Sequence, residues 1–442
     1  IPDTFKILDY IEKKNVKRAV IVGGGYIGVE MAENLHRAGL SVTIVEFADH
    51  VIAPLDYEMA CEVHNHMRQK GVQLILKDGV KEIVQDEGHL KVMLGGGSIH
   101  TDMVLMCVGV RPDGTLAKDA GLKVNNRGAI IVTNTMLTSD PDIYAVGDAV
   151  QITDYITKED GFIPLAGPAN KQGRIAADNI CGIDSKYSGT QGTGILKCFD
   201  LTIATTGITE ARAKGMGLNY EKSYTYSSSH ATYDPGATMI GIKIIFEKES
   251  GKLLGAQIIG QDGADKRLDV LATAIRAGMS VYDLTELGLA YAPPFSSAKD
   301  PVNMAGYVAE NILLDRVSLI HWNDVKKLPR DGSVSLVDIK TPMEYMNGSI
   351  EGFINIPLDQ LREQMDQLDK DKPVYLTCQV GLRGYLACRI LKQYGYECYN
   401  LSGGYRLYHS VYSAETIDYK SDGILFRNKD DESKLSAASI ES

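Results

Sequence analysis

Apolar residues in the first hundred positions fall in short runs that end in glycine or an acid, the pattern of strands alternating with helices. Arg18–Val22 reads as a strand, followed by Gly23-Gly24-Gly25-Tyr26-Ile27-Gly28 and a helical pattern to Ala38, with Gly39 as its C′ residue. Ser41–Val45 is the next strand, and Glu46 closes it. Strand-like stretches continue at Val72–Leu76, Leu90–Leu94 and Val104–Val108, and a helix is expected over Asp3–Lys14. Pro168–Ile180 predicts a helix opened by proline. From about Gly189 the texture turns β-rich (Ile195–Phe199, Gly241–Glu247, Leu253–Ile259), then helical at Arg267–Ala277 and Pro301–Leu314. A linker near Leu314–Ser318 leads to a small α/β unit from Ile320 to about Tyr408. Its strand Val374–Thr377 and helix Tyr385–Tyr394 flank a glycine-rich turn. Beyond Tyr412 the chain is polar, with charges at Lys429 to Lys434, and predicts disorder.

The 442 residues suggest about three domains. A formal charge of −11 argues against a nucleic-acid surface. No apolar run has the length of a membrane span. Seven scattered cysteines without a CxxC pair point to neither a zinc site nor a disulfide framework, so no metal is expected and a reducing cytoplasm is the natural setting.

The sharpest chemistry lies at Cys378-Gln379-Val380-Gly381-Leu382-Arg383-Gly384. A cysteine between a strand and a helix sits where backbone N–H groups converge and the helix N-terminus points, which favours a negatively charged sulfur. Four residues separate Cys378 from Arg383, a loop better sized for one extra sulfur atom than for a phosphate. Arg383 would either hold an anionic substrate or order the loop. With Val337-Asp338, Gly348-Ser349-Ile350-Glu351-Gly352 and Asn355-Ile356-Pro357, the stretch resembles the rhodanese sulfurtransferases, which implies a persulfide on Cys378. Lys340 and Ser349 stand where relatives often have Arg and His.

The Gly23–Gly28 turn has a strand before it, a helix after it, a second strand, and an acid 23 residues beyond its first glycine. Gly23 makes the tight turn, Gly25 admits the pyrophosphate, Gly28 lets helix and strand pack, and Glu46 would accept from the ribose hydroxyls. Its charge would repel a 2′-phosphate and favour NADH over NADPH. This unit resembles the NAD-binding domain of the FAD-dependent pyridine nucleotide–disulfide oxidoreductases. That resemblance implies that Tyr26 and Glu30 flank the nicotinamide and that Cys107–Pro112, with Gly109, is the family's strand-to-loop segment. Thr138–Asp148 resembles the family's second FAD motif, giving Gly147 and Asp148 a flavin role. Gly167-Pro168-Ala169-Asn170 would bring a helix N-terminus to the flavin.

Gly255–Arg267 and Leu289–Pro301 resemble the branch containing coenzyme A-disulfide reductases and NADH oxidases or peroxidases. The C-terminal rhodanese unit narrows the resemblance to coenzyme A-disulfide (persulfide) reductase–rhodanese fusions. By that resemblance Tyr291 reaches the flavin region of a partner subunit, Lys299 and Asn170 contact the coenzyme A substrate, and Tyr233 contributes an aromatic contact. Asp234 departs from a second tyrosine found in relatives. The first FAD segment, with its redox cysteine, would precede Ile1. The stretch Ile1–Ser442 alone is therefore expected to keep sulfurtransferase but not flavin-dependent activity.

The resulting expectation is an α/β chain with an NAD(P)-binding Rossmann-type domain at 1–124, the C-terminal part of an FAD-binding domain at 125–188, an α+β dimerisation domain at 189–316, a rhodanese-like α/β domain at 317–411 and a polar tail at 412–442. Its cofactors are FAD and NAD(P)H, and its substrate is a small disulfide or persulfide. It is a homodimer with neither nucleic acid nor membrane as partner. An NADH oxidase or peroxidase with an appended rhodanese unit, and a non-catalytic NADH-sensing scaffold, are the alternatives.

Overall fold

The computed structural model describes residues 2–86, 88–415 and 424–426. The described residues form two compact units: those within 2–109, 197–201 and 409–415, with 424–426, make one, and residues 110–196 and 202–408 the other.

In the first unit, helix α1 (Pro2–Lys14) leads to strand β1 (Arg18–Val22), helix α2 (Tyr26–Arg37), strand β2 (Ser41–Glu46), helix α3 (Tyr57–Gln69) and strand β3 (Gln73–Leu76). Strands β4 (Glu82–Asp86), β5 (His89–Met93) and β6 (Gly97–Thr101) form an antiparallel meander, and β7 (Met103–Met106) returns to the first sheet. That sheet is parallel, in the order β3–β2–β1–β7. The run Arg18–Val22 buries four of its five residues, as a strand covered on both faces must. Strand β7 ends at Met106, two residues short of the expected Val108, so Cys107 and Gly109 lie in the loop beyond it. The tail contributes more structure than its composition predicts, because residues 424–426 pair antiparallel with β6. The charged stretch Lys429–Lys434 lies outside the described residues.

The second unit starts with a short helix α4 (Thr115–Asp119) and a 3-10 turn at Gly147–Ala149. Strands β8 (Ile152–Thr153) and β9 (Asp160–Gly161) precede helix α5 (Ala166–Ile180). Helix α5 starts two residues before the expected Pro168, which occupies its third position, where a missing N–H is still harmless. Strands β10 (Gly194–Cys198), β11 (Leu201–Gly207), β12 (Tyr220–Ser228), β13 (Met239–Glu247) and β14 (Leu253–Gly260) build a sheet in the order β10–β11–β14–β13–β12, and helix α6 (Glu210–Gly215) lies between β11 and β12. Helices α7 (Ala264–Arg276), α8 (Val281–Glu286) and α9 (Pro301–Leu313) share a core with this sheet through Ile242, Phe246, Leu268, Leu271 and Val302. Helix α8 opens on a reciprocal Ser280–Asp283 capping box, and α9 on Asp300 with Pro301 behind it.

The C-terminal α/β layer belongs to the same unit. Strands β15 (Ser318–Ile320), β16 (Ser335–Asp338), β17 (Ile354–Asn355), β18 (Val374–Thr377) and β19 (Cys398–Leu401) form a parallel sheet in the order β15–β19–β18–β16–β17. Helices α10 (Pro342–Met346), α11 (Leu361–Gln364) and α12 (Leu382–Gln393) complete it, and α13 (Gly404–Glu415) begins in it. Helix α12 begins three residues before the expected Tyr385, and α13 runs through the expected tail boundary to Glu415.

Candidate functional sites

The glycine-rich turn sits at the carboxyl edge of the parallel sheet. Gly23 has φ +104°, and a Cβ there would lie 2.3 Å from the Cys107 carbonyl oxygen. A Cβ on Gly28 would lie 2.0 Å from the Gly23 carbonyl, so both positions demand glycine. Gly25, the N-cap of α2, faces open space, which leaves its backbone approachable. Glu46 is already engaged: Oε2 accepts the Gly24 N–H at 2.6 Å and Oε1 accepts the Ala48 N–H at 2.8 Å. Its carboxylate is thereby fixed beside the turn, with lone pairs remaining on both oxygens. Tyr26 is half-buried and Glu30 exposed, one turn apart on α2. Gly109 (φ +93°) follows β7, where Cys107 N–H donates to the Val22 carbonyl at 2.7 Å.

In the second unit Gly147 takes φ +78°, and its N–H donates at 2.7 Å to Oε1 of the buried Gln172 on α5. The Gly147-Asp148 turn is thus tied to α5. Asp148 is exposed, and among the described residues its carboxylate accepts no hydrogen bond. A free acid on a fixed turn beside a helix N-terminus suits hydroxyl and polar-ring recognition, so these residues fit a flavin. Asn170 folds back, its Nδ2 donating to the Ala166 carbonyl at 2.9 Å.

Tyr233 and Tyr291, 58 positions apart, meet through their hydroxyls at 3.2 Å, and both are exposed. The hydrogen bond from Tyr291 raises the Tyr233 phenol above its ordinary value. Lys299 is exposed on the same loop as Tyr291. Sequence reasoning missed what holds this loop. Arg267, 1% exposed, donates to both Asp300 oxygens (2.9 Å at the closest), to Ser296 Oγ at 3.1 Å, and to the Ser229 and Gly263 carbonyls at 2.8 and 3.1 Å. The Ala231 N–H then donates to the Ser296 carbonyl at 3.0 Å. Among the described residues no hydrogen bond links Asn170 to either tyrosine.

Cys378 directly follows β18 and is buried. Its Sγ accepts the Gly381 N–H at 3.1 Å and the Gly384 N–H at 3.4 Å. Gly381, at φ +101°, is the N-cap of α12, so sulfur, loop amides and helix N-terminus converge. The loop is braced by Tyr405 and Arg406, whose N–H groups donate to the Cys378 and Gln379 carbonyls at 2.7 and 3.0 Å. Arg383 spends its guanidinium on Glu344, each arm 2.7 Å from a carboxylate oxygen. The arginine holds Glu344 well below the usual carboxylate range, at about 2. Thr341 and Glu344 form a capping box on α10, so the pair ties α10 to α12 and orders the loop. Lys340 is buried, with its Nζ 2.5 Å from the Gly348 carbonyl, 3.5 Å from Asp338 Oδ2 and 3.9 Å from the centre of the Tyr405 ring. Burial pushes the Asp338 carboxyl up. Cys388 and Cys398 are buried in the same core, with Cys398 Sγ 3.4 Å from the Cys388 carbonyl.

A Rossmann-type turn, a free acid beside a helix N-terminus, and a tyrosine pair joining two loops suit a nucleotide-dependent redox protein. The chain belongs to the pyridine nucleotide-disulphide oxidoreductases: that family's model matches residues 3–173, its dimerisation-domain model residues 195–301, and a rhodanese-like domain residues 321–410. The family implies flavin and a pyridine nucleotide. An NADH oxidase of Methanocaldococcus jannaschii is 37% identical over 306 residues, 69% of this chain and 68% of that protein. The NAD(P)H coenzyme A polysulfide/persulfide reductase of Pyrococcus horikoshii is 34% identical over 301 residues, 68% and 67% of the two chains. The crystal structure of reduced CoADR-RHD of Bacillus anthracis superposes with a TM-score of 0.90 at 47% identity, covering 96% of this chain and 75% of that one. Among the described residues no helix is long and apolar enough to cross a membrane.

Proposed function

We propose that the protein is an NAD(P)H-dependent flavoprotein reductase of coenzyme A disulfide or persulfide/polysulfide, coupled to a sulfurtransferase centred on Cys378. The observation that carries this reading is the Cys378 sulfur facing the Gly381 and Gly384 N–H groups, in the same chain as the dinucleotide turn. Gly23, Gly25 and Gly28 receive the pyrophosphate, Glu46 the ribose hydroxyls, and Tyr26, Glu30 and Gly109 border the nicotinamide. Gly147, Asp148 and Pro168 hold the flavin. A flavin bound there would supply two-electron transfer between nicotinamide and sulfur. Tyr233, Tyr291, Lys299 and Asn170 receive the coenzyme A substrate, with Tyr291 serving the other subunit of a homodimer.

In sulfur transfer the Cys378 thiolate attacks the outer sulfur of a donor. The donor's sulfur–sulfur bond breaks, its thiol or sulfite departs with the bonding electrons, and Cys378 holds a persulfide stabilised by the two loop amides. An acceptor thiolate then attacks the terminal sulfur and restores the Cys378 thiolate. In the net reductive reaction a persulfide RSSH, NADH and a proton give RSH, hydrogen sulfide and NAD+.

The test is peptide mass spectrometry of Cys378 after exposure to thiosulfate or a persulfide, alongside turnover of Cys378→Ser. A peptide one sulfur heavier, and no transfer in the variant, are expected. Unaltered transfer by Cys378→Ser would sink the reading. The similarity to an NADH oxidase favours a second reading, oxygen reduction at the flavin. Its signature is NADH consumption that tracks oxygen and ignores persulfide.

A further inference from the structure

We propose that Asn400 is a positioning residue for sulfur transfer, because one side-chain amide clamps both glycines whose N–H groups face Cys378 Sγ. The inference rests on the sulfurtransferase reading of Cys378. Asn400 lies on β19, whose residues pair in parallel register with β18, Asn400 opposite Leu376, two positions before the cysteine. Its Nδ2 donates to the Gly381 carbonyl at 3.0 Å, which holds the far side of the residue whose own N–H points at sulfur. Its Oδ1 packs on Gly384, where a Cβ would lie only 1.9 Å away. The same amide therefore packs against the residue that carries the second donor.

Asn400 is 5% exposed, and its Oδ1 has no hydrogen-bond partner among the described residues. A buried, unsatisfied acceptor costs on the order of 1–3 kcal/mol. An apolar residue would avoid that cost but could not hold the Gly381 carbonyl. An aspartate would face that carbonyl with an acceptor and place a negative charge beside the sulfur. Asparagine alone supplies a donor to one glycine and a flat, uncharged edge to the other. The persulfide step needs both amides fixed in advance, since donors that must reorient stabilise a developing charge poorly.

The experiment compares the full chain with Asn400→Ala, Asn400→Asp and a packing control, Leu391→Ala, a fully buried residue of the same core. Alkylation of Cys378 by iodoacetamide is followed by peptide mass spectrometry across pH, with kcat and KM for thiosulfate measured in parallel. In both Asn400 variants the neutral-pH alkylation rate and kcat should fall about tenfold, the alkylation profile should move to higher pH, and KM should stay within about twofold. Leu391→Ala should lower the melting temperature without moving the profile. Should an Asn400 variant fail to fold, Asn400→Ser, which keeps a small polar group at the site, takes its place. A wild-type profile in Asn400→Ala, or an equal shift in Leu391→Ala, overturns the proposal. If wild type transfers no sulfur while its alkylation still responds to Asn400, the clamp stands and the sulfurtransferase reading falls.

Discussion

The Arg383 guanidinium meets the Glu344 carboxylate with both arms at 2.7 Å. The pairing assigns the arginine of the sulfur loop to bracing α10 against α12. It also makes the stability of this layer depend on acid. Glu344 titrates near 2 when folded, against an ordinary 4.5. A depressed carboxyl contributes stability above its unfolded value and loses it as the pH falls through the folded one. Thermal unfolding followed from neutral pH down to about pH 2 should therefore drop more steeply between about pH 4.5 and 2 in wild type than in Glu344→Gln. Parallel curves would count against the pairing.

Gly384→Ala places a methyl group 1.9 Å from Asn400 Oδ1. The loop or β19 must shift, at about 1–3 kcal/mol. Sulfurtransferase turnover should be lost with only a moderate fall in melting temperature. Normal turnover would show that the amides facing sulfur tolerate displacement.

Arg267→Met strands Asp300 in a site almost closed to solvent. Breaking a buried ion pair from one side costs about 3–5 kcal/mol. Denaturant unfolding should show a loss of that order, and Asp300→Asn a smaller one. Because the same arginine holds the Tyr291 loop, affinity for coenzyme A disulfide should fall as well. A stable variant with wild-type affinity would refute the assignment.

Glu46→Gln keeps an acceptor for the Gly24 N–H but removes the charge. Discrimination against NADPH should weaken about tenfold, equivalent to about 1.4 kcal/mol. Binding titrations with the two nucleotides read this directly, and an unchanged ratio would assign the preference to another residue.

The sites with a local signature were legible before any coordinates. Gly23–Gly28 with Glu46, and Cys378 with its glycines, lie within single strand–turn–helix units, where spacing alone fixes geometry. Asn400 and Arg267 were not legible, because their roles depend on residues brought from elsewhere in the chain. Arg267 follows Asp265 and Lys266 and reads as one more surface charge on α7, yet it is buried. Strand β12 escaped for a related reason: Tyr220–Ser228 is polar almost throughout, and only three central positions are buried. The start of α12 was obscured because Gly381 and Gly384 dilute a helical pattern that begins at Leu382.

Strand β12 carries one more implication. A Cβ on Gly403 would touch Tyr224 at 3.3 Å, the Arg406 guanidinium stacks 5.1 Å over Tyr226, and the backbone of Arg406 braces the Cys378 loop. The linker near Ser318 is therefore a poor place for a molecular biologist's scissors. Cutting there would uncover two tyrosines on one product and remove a supporting wall from the other. Their shared surface makes the two pieces difficult to shuffle as separate modules.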